Sequence, residues 1–109
     1  MQTFVFVACT PGPSIREAIV RDAQLSAFQL ELIREKRRGR RPGWAKLKSA
    51  VLGIDGAVNL EWDPSVATLE CRVITKAGSD PAPILADLVG YLFERFPERI
   101  QTVSILPRP

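Results

Sequence analysis

Two stretches in the middle of the chain alternate between apolar and polar residues. Positions 58–62 and 69–73 each carry an apolar side chain at every second residue. Asp63-Pro64-Ser65, between them, is made of residues that favour turns. A period of two is typical of strands with one buried face, so the pattern predicts a β-hairpin with Trp62 in the core. Its outer face is expected to carry three charged residues, Glu61, Glu70 and Arg72.

Three other stretches place apolar residues at helical spacing. Behind the capping box Ser14-Ile15-Arg16-Glu17, the spacing predicts a long helix from Ile15 to about Arg38. Asp80 as N-cap, followed by Pro81, predicts the start of a second long helix. A shorter pattern over Trp44–Leu52 predicts a short extra helix.

A strand is predicted near each end of the chain. Thr3–Cys9 is rich in Phe and Val without clear alternation, which favours a strand covered on both faces. Ile100–Leu106 alternates and predicts a last short strand. The element order predicts an α+β fold, a ferredoxin-like (split βαβ) sandwich with a four-stranded antiparallel sheet, two main helices on one face and a short extra helix. We expect a single domain over residues 1–107, with a basic helix-loop elaboration at about 34–53.

The charged residues are unevenly distributed, and this changes the picture. Between Arg34 and Lys48 lie eight basic residues and a single acid, Glu35, so this segment has a net charge of +7. The remaining chain has seven basic and eleven acidic residues, and its net charge is −4. Cations at a helix C-terminus are favoured by the helix dipole, which would explain part of the cluster. The remainder leaves two interpretations open, a solubilising surface or a binding surface.

Clustered Arg and Lys side chains attract nucleic acids, because they neutralise phosphates and release counterions. Arg also binds a phosphate through two parallel hydrogen bonds. Trp44, just after the Arg cluster, would supply either a stacking surface for an unpaired base or an anchor to the core. The hypothesis is a nucleic-acid-binding module for DNA or RNA. Its candidate binding residues are Arg37, Arg38, Arg40, Arg41, Trp44, Lys46 and Lys48.

One part of this segment resembles a known motif. Arg37-Arg38-Gly39-Arg40-Arg41-Pro42 is similar to the AT-hook, a short motif centred on Arg-Gly-Arg-Pro that binds the minor groove of DNA. The resemblance is confined to this stretch, and Arg41 is interposed before the proline, which shifts the residue that directs the chain out of the groove. The resemblance implies contact with DNA through these arginines.

Two other classes of function stay open. A non-enzymatic ligand-binding or dimerisation domain would use the open sheet face or an edge strand, with an acidic protein or a second copy as its partner. An enzyme acting on an anionic substrate would use arginines and carboxylates. For an acylphosphatase, Thr10–Arg16 has the position and the Arg of a phosphate-binding loop, although two prolines remove backbone donors from it.

Composition argues against several kinds of chemistry. The chain has no histidine, and its two cysteines, Cys9 and Cys71, are far apart, which argues against His-based catalysis and a structural zinc site. We therefore expect no catalytic residue, no metal and no cofactor, and an enzyme is the weaker hypothesis. The apolar runs fall short of the ~20 residues of a membrane span. A role at a membrane surface would need an apolar face beside the basic one, and the residues around Gly39 offer none, so no membrane role is expected. Unpaired cysteines are typical of a cytoplasmic protein.

Overall fold

The structure is a computed structural model that describes the backbone of residues 2–108 and the side chains of residues 2–107. Its strands are β1 (Gln2–Cys9), β2 (Leu30–Arg34), β3 (Trp44–Ser49), β4 (Gly56–Asp63), β5 (Thr68–Thr75) and β6 (Ile100–Arg108). Its helices are α1 (Ile15–Val20) and α2 (Ala82–Arg95), with a 3-10 turn at Leu25–Phe28 between α1 and β2. The strands form one sheet in the order β2-β3-β4-β5-β1-β6, and neighbouring strands are antiparallel.

One face of this sheet, the inner face, packs against both helices. Alternate residues of the central strands point to it, and they form one apolar core with Ile15 and Ile19 of α1 and Ile84 and Leu88 of α2. The fully buried strand residues of this core include Val5, Val58, Leu60, Leu69, Cys71 and Val73. Trp62 is 7% exposed and belongs to the same core, which confirms its predicted place.

The opposite face, the outer face, carries the remaining strand residues. Both described helices contribute apolar residues to the core and so lie on the inner side. Phe4 and Phe6 of β1 point outward and are half-buried. The prediction that β1 is covered on both faces is therefore wrong, because its second apolar row faces the side without helices.

Several local predictions are confirmed. The hairpin predicted over 58–62 and 69–73 is β4 and β5, with Leu60 opposite Cys71. Ser14 caps α1, since its hydroxyl accepts a hydrogen bond from the Glu17 backbone N–H at 3.2 Å. The predicted start of α2 is one residue off, because its N-cap is Pro81 and not Asp80. The Asp80 carboxylate still accepts a hydrogen bond from the backbone N–H of Ala82, at 2.9 Å. Each of these features depends on residues close in sequence.

The predicted helix from Ile15 to about Arg38 is wrong beyond Val20. The helix ends just before Asp22. The Asp22 carboxylate accepts hydrogen bonds from the backbone N–H of Gln24 and from the side chains of Tyr91 and Arg95 in α2. Gln29 then adopts a left-handed conformation, with φ of 64°, and directs the chain into β2. Contacts with α2 thus override the helical spacing of this segment.

The predicted short helix over Trp44–Leu52 is also wrong, because β3 occupies its first part. Ala45 and Leu47 point to the core, while Lys46 and Lys48 point outward, which is the alternation of a strand. The segment 34–53 is therefore not a helix-loop elaboration. It is the end of β2, a loop, β3 and the turn that follows.

These two strands overturn the predicted fold. The ferredoxin-like sandwich needs a four-stranded sheet and two main helices. This fold has a six-stranded sheet and one long helix, α2, while α1 has only six residues. The β2–β3 hairpin extends the sheet beyond β4 and makes β2 an edge strand. In residues 2–108, no helix is both long enough and apolar enough to cross a membrane.

Candidate functional site

The loop at residues 35–43, called here the basic loop, joins β2 to β3 and holds most of the clustered arginines. Arg16 of α1 fixes both of its ends. Its side chain is 5% exposed, and it donates hydrogen bonds to the backbone carbonyls of Glu35 and, at 2.9 Å, of Trp44. It also pairs with the carboxylate of Glu17. A buried, paired cation on a helix thus determines where the basic loop leaves and re-enters the sheet.

Tight turns shape the basic loop between these ends. The Arg40 N–H donates to the Arg37 carbonyl at 3.0 Å, across Gly39, whose φ of +83° suits glycine. At the far end, the Gly43 carbonyl accepts a hydrogen bond from the Trp62 N–H at 3.0 Å. The loop is therefore attached to β4 as well as to α1.

The predicted basic residues divide into two groups in the part of the chain described. The side chains of Arg37, Arg38 and Lys46 make no hydrogen bond or ion pair there, and the first two residues are exposed. The other three have partners within the protein. Arg40 lies over the Trp44 ring at 5.6 Å, Arg41 is 3.6 Å from Glu61, and Lys48 is 3.3 Å from Glu31.

Trp44 does not offer a free stacking surface. Its side chain points to the outer face, yet only 2% of it is exposed, and the Arg40 guanidinium lies over the ring. It is also not part of the inner core that contains Trp62. A base reaches the Trp44 ring only when Arg40 moves away.

The outer face carries basic charge away from the loop. In the register of the sheet, Arg34 faces Lys46, Lys46 faces Asn59, and Asn59 faces Arg72. We call these four residues the polar row. It ends beside Phe4, whose ring has the Arg72 guanidinium 5.3 Å from its centre. The row therefore links the basic β2–β3 hairpin to an aromatic side chain in the middle of β1.

Phe4 and Phe6 form a small aromatic surface on this face. Their rings lie nearly parallel, with centres 6.1 Å apart and planes 7° apart. Both are half-buried, so part of each ring is accessible. Such rings are suited to stacking with planar groups.

Three polar atoms on the outer face are buried and lack a hydrogen-bond partner within residues 2–107. They are two donors, Trp44 Nε1 and Arg72 Nε, and one acceptor, Asn59 Oδ1. All three residues line one small recess together with Arg40, Glu61 and Glu70. Buried polar groups are nearly always paired, so this recess is where an incoming polar group would gain hydrogen bonds.

Two carboxylates lie between the basic loop and the polar row. Glu61 and Glu70 face each other across β4 and β5, where like charges repel. Arg41 neutralises Glu61 in part. They border a groove of about 1100 Å³ between the basic loop and the β4–β5 turn. The groove therefore has mixed charge, and the cations lie on its loop side.

The loop Thr10–Arg16, considered above for an anionic substrate, is already occupied by contacts within the protein. Arg16 is bound to backbone carbonyls, as described. Arg99 donates hydrogen bonds to Thr10, at 3.2 Å to its hydroxyl and 3.1 Å to its carbonyl. The arginines at both ends of this loop are therefore engaged in hydrogen bonds within the protein.

Both cysteines are free and buried. Burial raises the pKa of the Cys9 thiol, and burial likewise raises that of Cys71 far above its usual range. Thiolates are the reactive form, so both side chains act as small apolar core groups at neutral pH.

Sequence reasoning missed four residues of this surface. The charge count pointed to Arg34 only as part of the cluster, and no pattern singled out Asn59. For Phe4 and Phe6, the sequence predicts a strand covered on both faces. The signal that identifies them is an alternation along β1. Phe4 and Phe6 alternate with Val5 and Val7, which indicates one aromatic and one aliphatic face.

Comparison with known proteins adds no assignment to this geometry. No protein-family model, no curated protein and no solved structure matches the chain.

Proposed function

We propose that the protein binds nucleic acid, holding its phosphates with the basic loop and the polar row. The observation that carries this proposal is the register of Arg34 with Lys46 on the outer face. It extends the positive charge of the basic loop onto a sheet face that the described helices leave uncovered. The cluster is also not explained by a helix C-terminus, because its residues lie in strands and a loop.

The state of the basic side chains supports phosphate binding. Arg37, Arg38 and Lys46 have no competing partner among the described residues, so they are available for phosphate oxygens. Arg41 and Lys48 form exposed ion pairs, which contribute little and exchange readily for a phosphate. Binding through these cations releases counterions and depends strongly on salt.

The outer face also offers contacts for bases. The exposed part of Phe6 suits stacking, as aromatic residues do on other open sheets that bind single strands. The Phe4 ring already has the Arg72 guanidinium over it. Glu61 and Glu70 would repel phosphates, but their oxygens accept hydrogen bonds from base amino groups. The expected path places phosphates along the β2–β3 hairpin and bases towards β4, β5 and β1.

The cytoplasm remains the expected location. This expectation rests on the two cysteines, which form no disulfide, because thiols stay reduced in a reducing compartment. A cytoplasmic location would bring the protein into contact with nucleic acid.

The experiment is a titration of labelled single-stranded DNA, single-stranded RNA and duplex DNA at several salt concentrations, followed by fluorescence anisotropy. The test variant is Arg37→Gln/Arg38→Gln. The matched control is Arg21→Gln/Lys76→Gln, which removes the same charge from exposed residues outside the surface.

We expect wild type to bind at low salt and to weaken as salt rises. Each phosphate contact contributes ~0.7 to the salt slope for single strands and ~0.9 for duplex DNA. The test variant removes two contacts, so it should lower the salt slope by roughly 1.4 on single strands and roughly 1.8 on duplex DNA. The control should leave the slope nearly unchanged. Absence of binding to all three probes at low salt, or equal weakening by both variants, contradicts the proposal.

A further inference from the structure

The two edges of the sheet differ in how they are protected against pairing with another strand. β2, at one edge, has five residues, includes the charged Glu31 and Arg34, and is interrupted by a bulge between Leu32 and Arg34. Short length, charge and bulges are the usual means by which proteins block edge-to-edge pairing. This edge is therefore protected.

β6, at the other edge, lacks these features over most of its length. It has nine residues, and from Ile100 to Pro107 it carries no charged side chain. Its register with β1 is regular from Thr102 to the end of the strand. Pro107 hinders pairing with another strand only at the end of β6. A long, regular and uncharged edge of this kind is a template for another strand.

Two neighbouring residues indicate how a partner would lie. Ile105 is 46% exposed and Leu106 is 45% exposed. As consecutive residues of a strand, they point to opposite faces of the sheet. A partner docked on one face would cover only one of them. A strand added beside β6 would flank both at once.

We infer that β6 is a homodimer interface, in which two copies pair their β6 strands antiparallel about a two-fold axis. The segment is suited to itself, because antiparallel alignment of two uncharged stretches brings no like charges together. The regular stretch Thr102–Leu106 of each strand allows the two copies to exchange roughly four backbone hydrogen bonds. The pairing is isologous and therefore closed, giving one twelve-stranded sheet and no further growth, since the protected β2 edges lie at its ends. It does not depend on the proposed nucleic-acid binding, for which β6 supplies no residue.

The test is the mass of the protein in solution, measured by light scattering and sedimentation over a range of concentrations. Wild type should approach twice the chain mass of 12.1 kDa as concentration rises. Ile105→Lys places a charge on the edge in each copy and should raise the dimer dissociation constant at least about tenfold. The matched control is Ile33→Lys on β2, because Ile33 is 42% exposed at the opposite edge.

Circular dichroism checks that both variants fold. If Ile105→Lys does not fold, Ser104→Lys replaces it, because Ser104 is exposed on the same strand. Amide hydrogen exchange in wild type should show protection along β6 that rises with protein concentration. The inference is overturned if the wild type stays monomeric or forms open assemblies. It is also overturned if the β6 variant and Ile33→Lys weaken the dimer equally.

Discussion

The Nε of Arg16 donates a hydrogen bond to the Trp44 carbonyl at 2.9 Å, although the two residues are 28 positions apart. Through this bond and its bond to the Glu35 carbonyl, one side chain of α1 holds both ends of the basic loop. The position of the positive charge thus depends on a residue outside the charged segment.

We expect Arg16→Met to destabilise the protein and loosen the basic loop. The substitution keeps an apolar stem but leaves the Trp44 carbonyl without this donor, which should cost about 2–4 kcal/mol in the free energy of unfolding. Urea unfolding measures the cost, and hydrogen exchange of amides 35–44 measures the loop. Arg21→Met, at a side chain that is 81% exposed, is the control. Unchanged stability and unchanged exchange in Arg16→Met would show that the loop is held in another way.

Asp22 should make part of the stability dependent on pH. Burial would raise the pKa of its carboxyl, but hydrogen bonds from Arg95, the Gln24 N–H and Tyr91 outweigh burial and lower it. The Tyr91 hydroxyl lies 2.8 Å from the carboxylate and Arg95 Nε lies 3.0 Å from it. Because the folded pKa is below the unfolded value of about 3.9, this stabilisation is present above that pH. It is lost as pH falls through the folded pKa.

Asp22→Asn therefore tests this contribution. At neutral pH we expect a loss of about 1–3 kcal/mol relative to wild type, and the difference should shrink in acid, where Asp22 is protonated in both states. Unfolding curves at neutral and acidic pH measure it. Asp55→Asn is the control, because the Asp55–Lys76 pair is exposed and should matter little. A difference between wild type and Asp22→Asn that is the same at every pH would refute the assignment.

Two glycines should respond to alanine in opposite directions. A Cβ at Gly43 would lie 2.6 Å from the Trp62 carbonyl oxygen, a backbone atom that cannot move cheaply. Gly90, inside α2, has no atom within 4 Å of such a Cβ. We expect Gly43→Ala to destabilise the protein by roughly 1–3 kcal/mol and Gly90→Ala to stabilise it by about 0.5–1 kcal/mol. Thermal and urea unfolding measure both, and a change of the same sign at both positions would contradict the packing described.

The elements predicted correctly are those whose pattern is complete within a few residues. The β4–β5 hairpin shows strict alternation on both sides of a turn, Ser14 and Glu17 form a local cap, and Asp80 and Pro81 mark the start of α2. Local signals of this kind do not need a distant partner. They are the reason that the β4–β5 hairpin, with Trp62 in the core, could be predicted.

The sequence patterns of β2 and β3 predict helices because these patterns are short and fit both the helical and the strand period. Leu30 and Leu32 become inward strand residues only when paired with β3, and Leu47 of β3 only beside Val58 of β4. Such pairings join residues distant in sequence, and no local rule identifies them. The helical spacing after Val20 was overruled in the same way, by the bonds of Asp22 to α2.

The same division applies to the candidate surface. Composition alone identified the basic segment and its excess charge, because charge can be counted without a fold. Only the register of the sheet placed Arg34, Lys46, Asn59 and Arg72 in one row beside Phe4, and only packing buried Trp44 beneath Arg40. The sequence by itself thus determined which chemistry the chain carries and where its local turns and caps lie. The tertiary structure decided which groups meet and which stay accessible, because those properties arise from contacts between residues far apart in the chain.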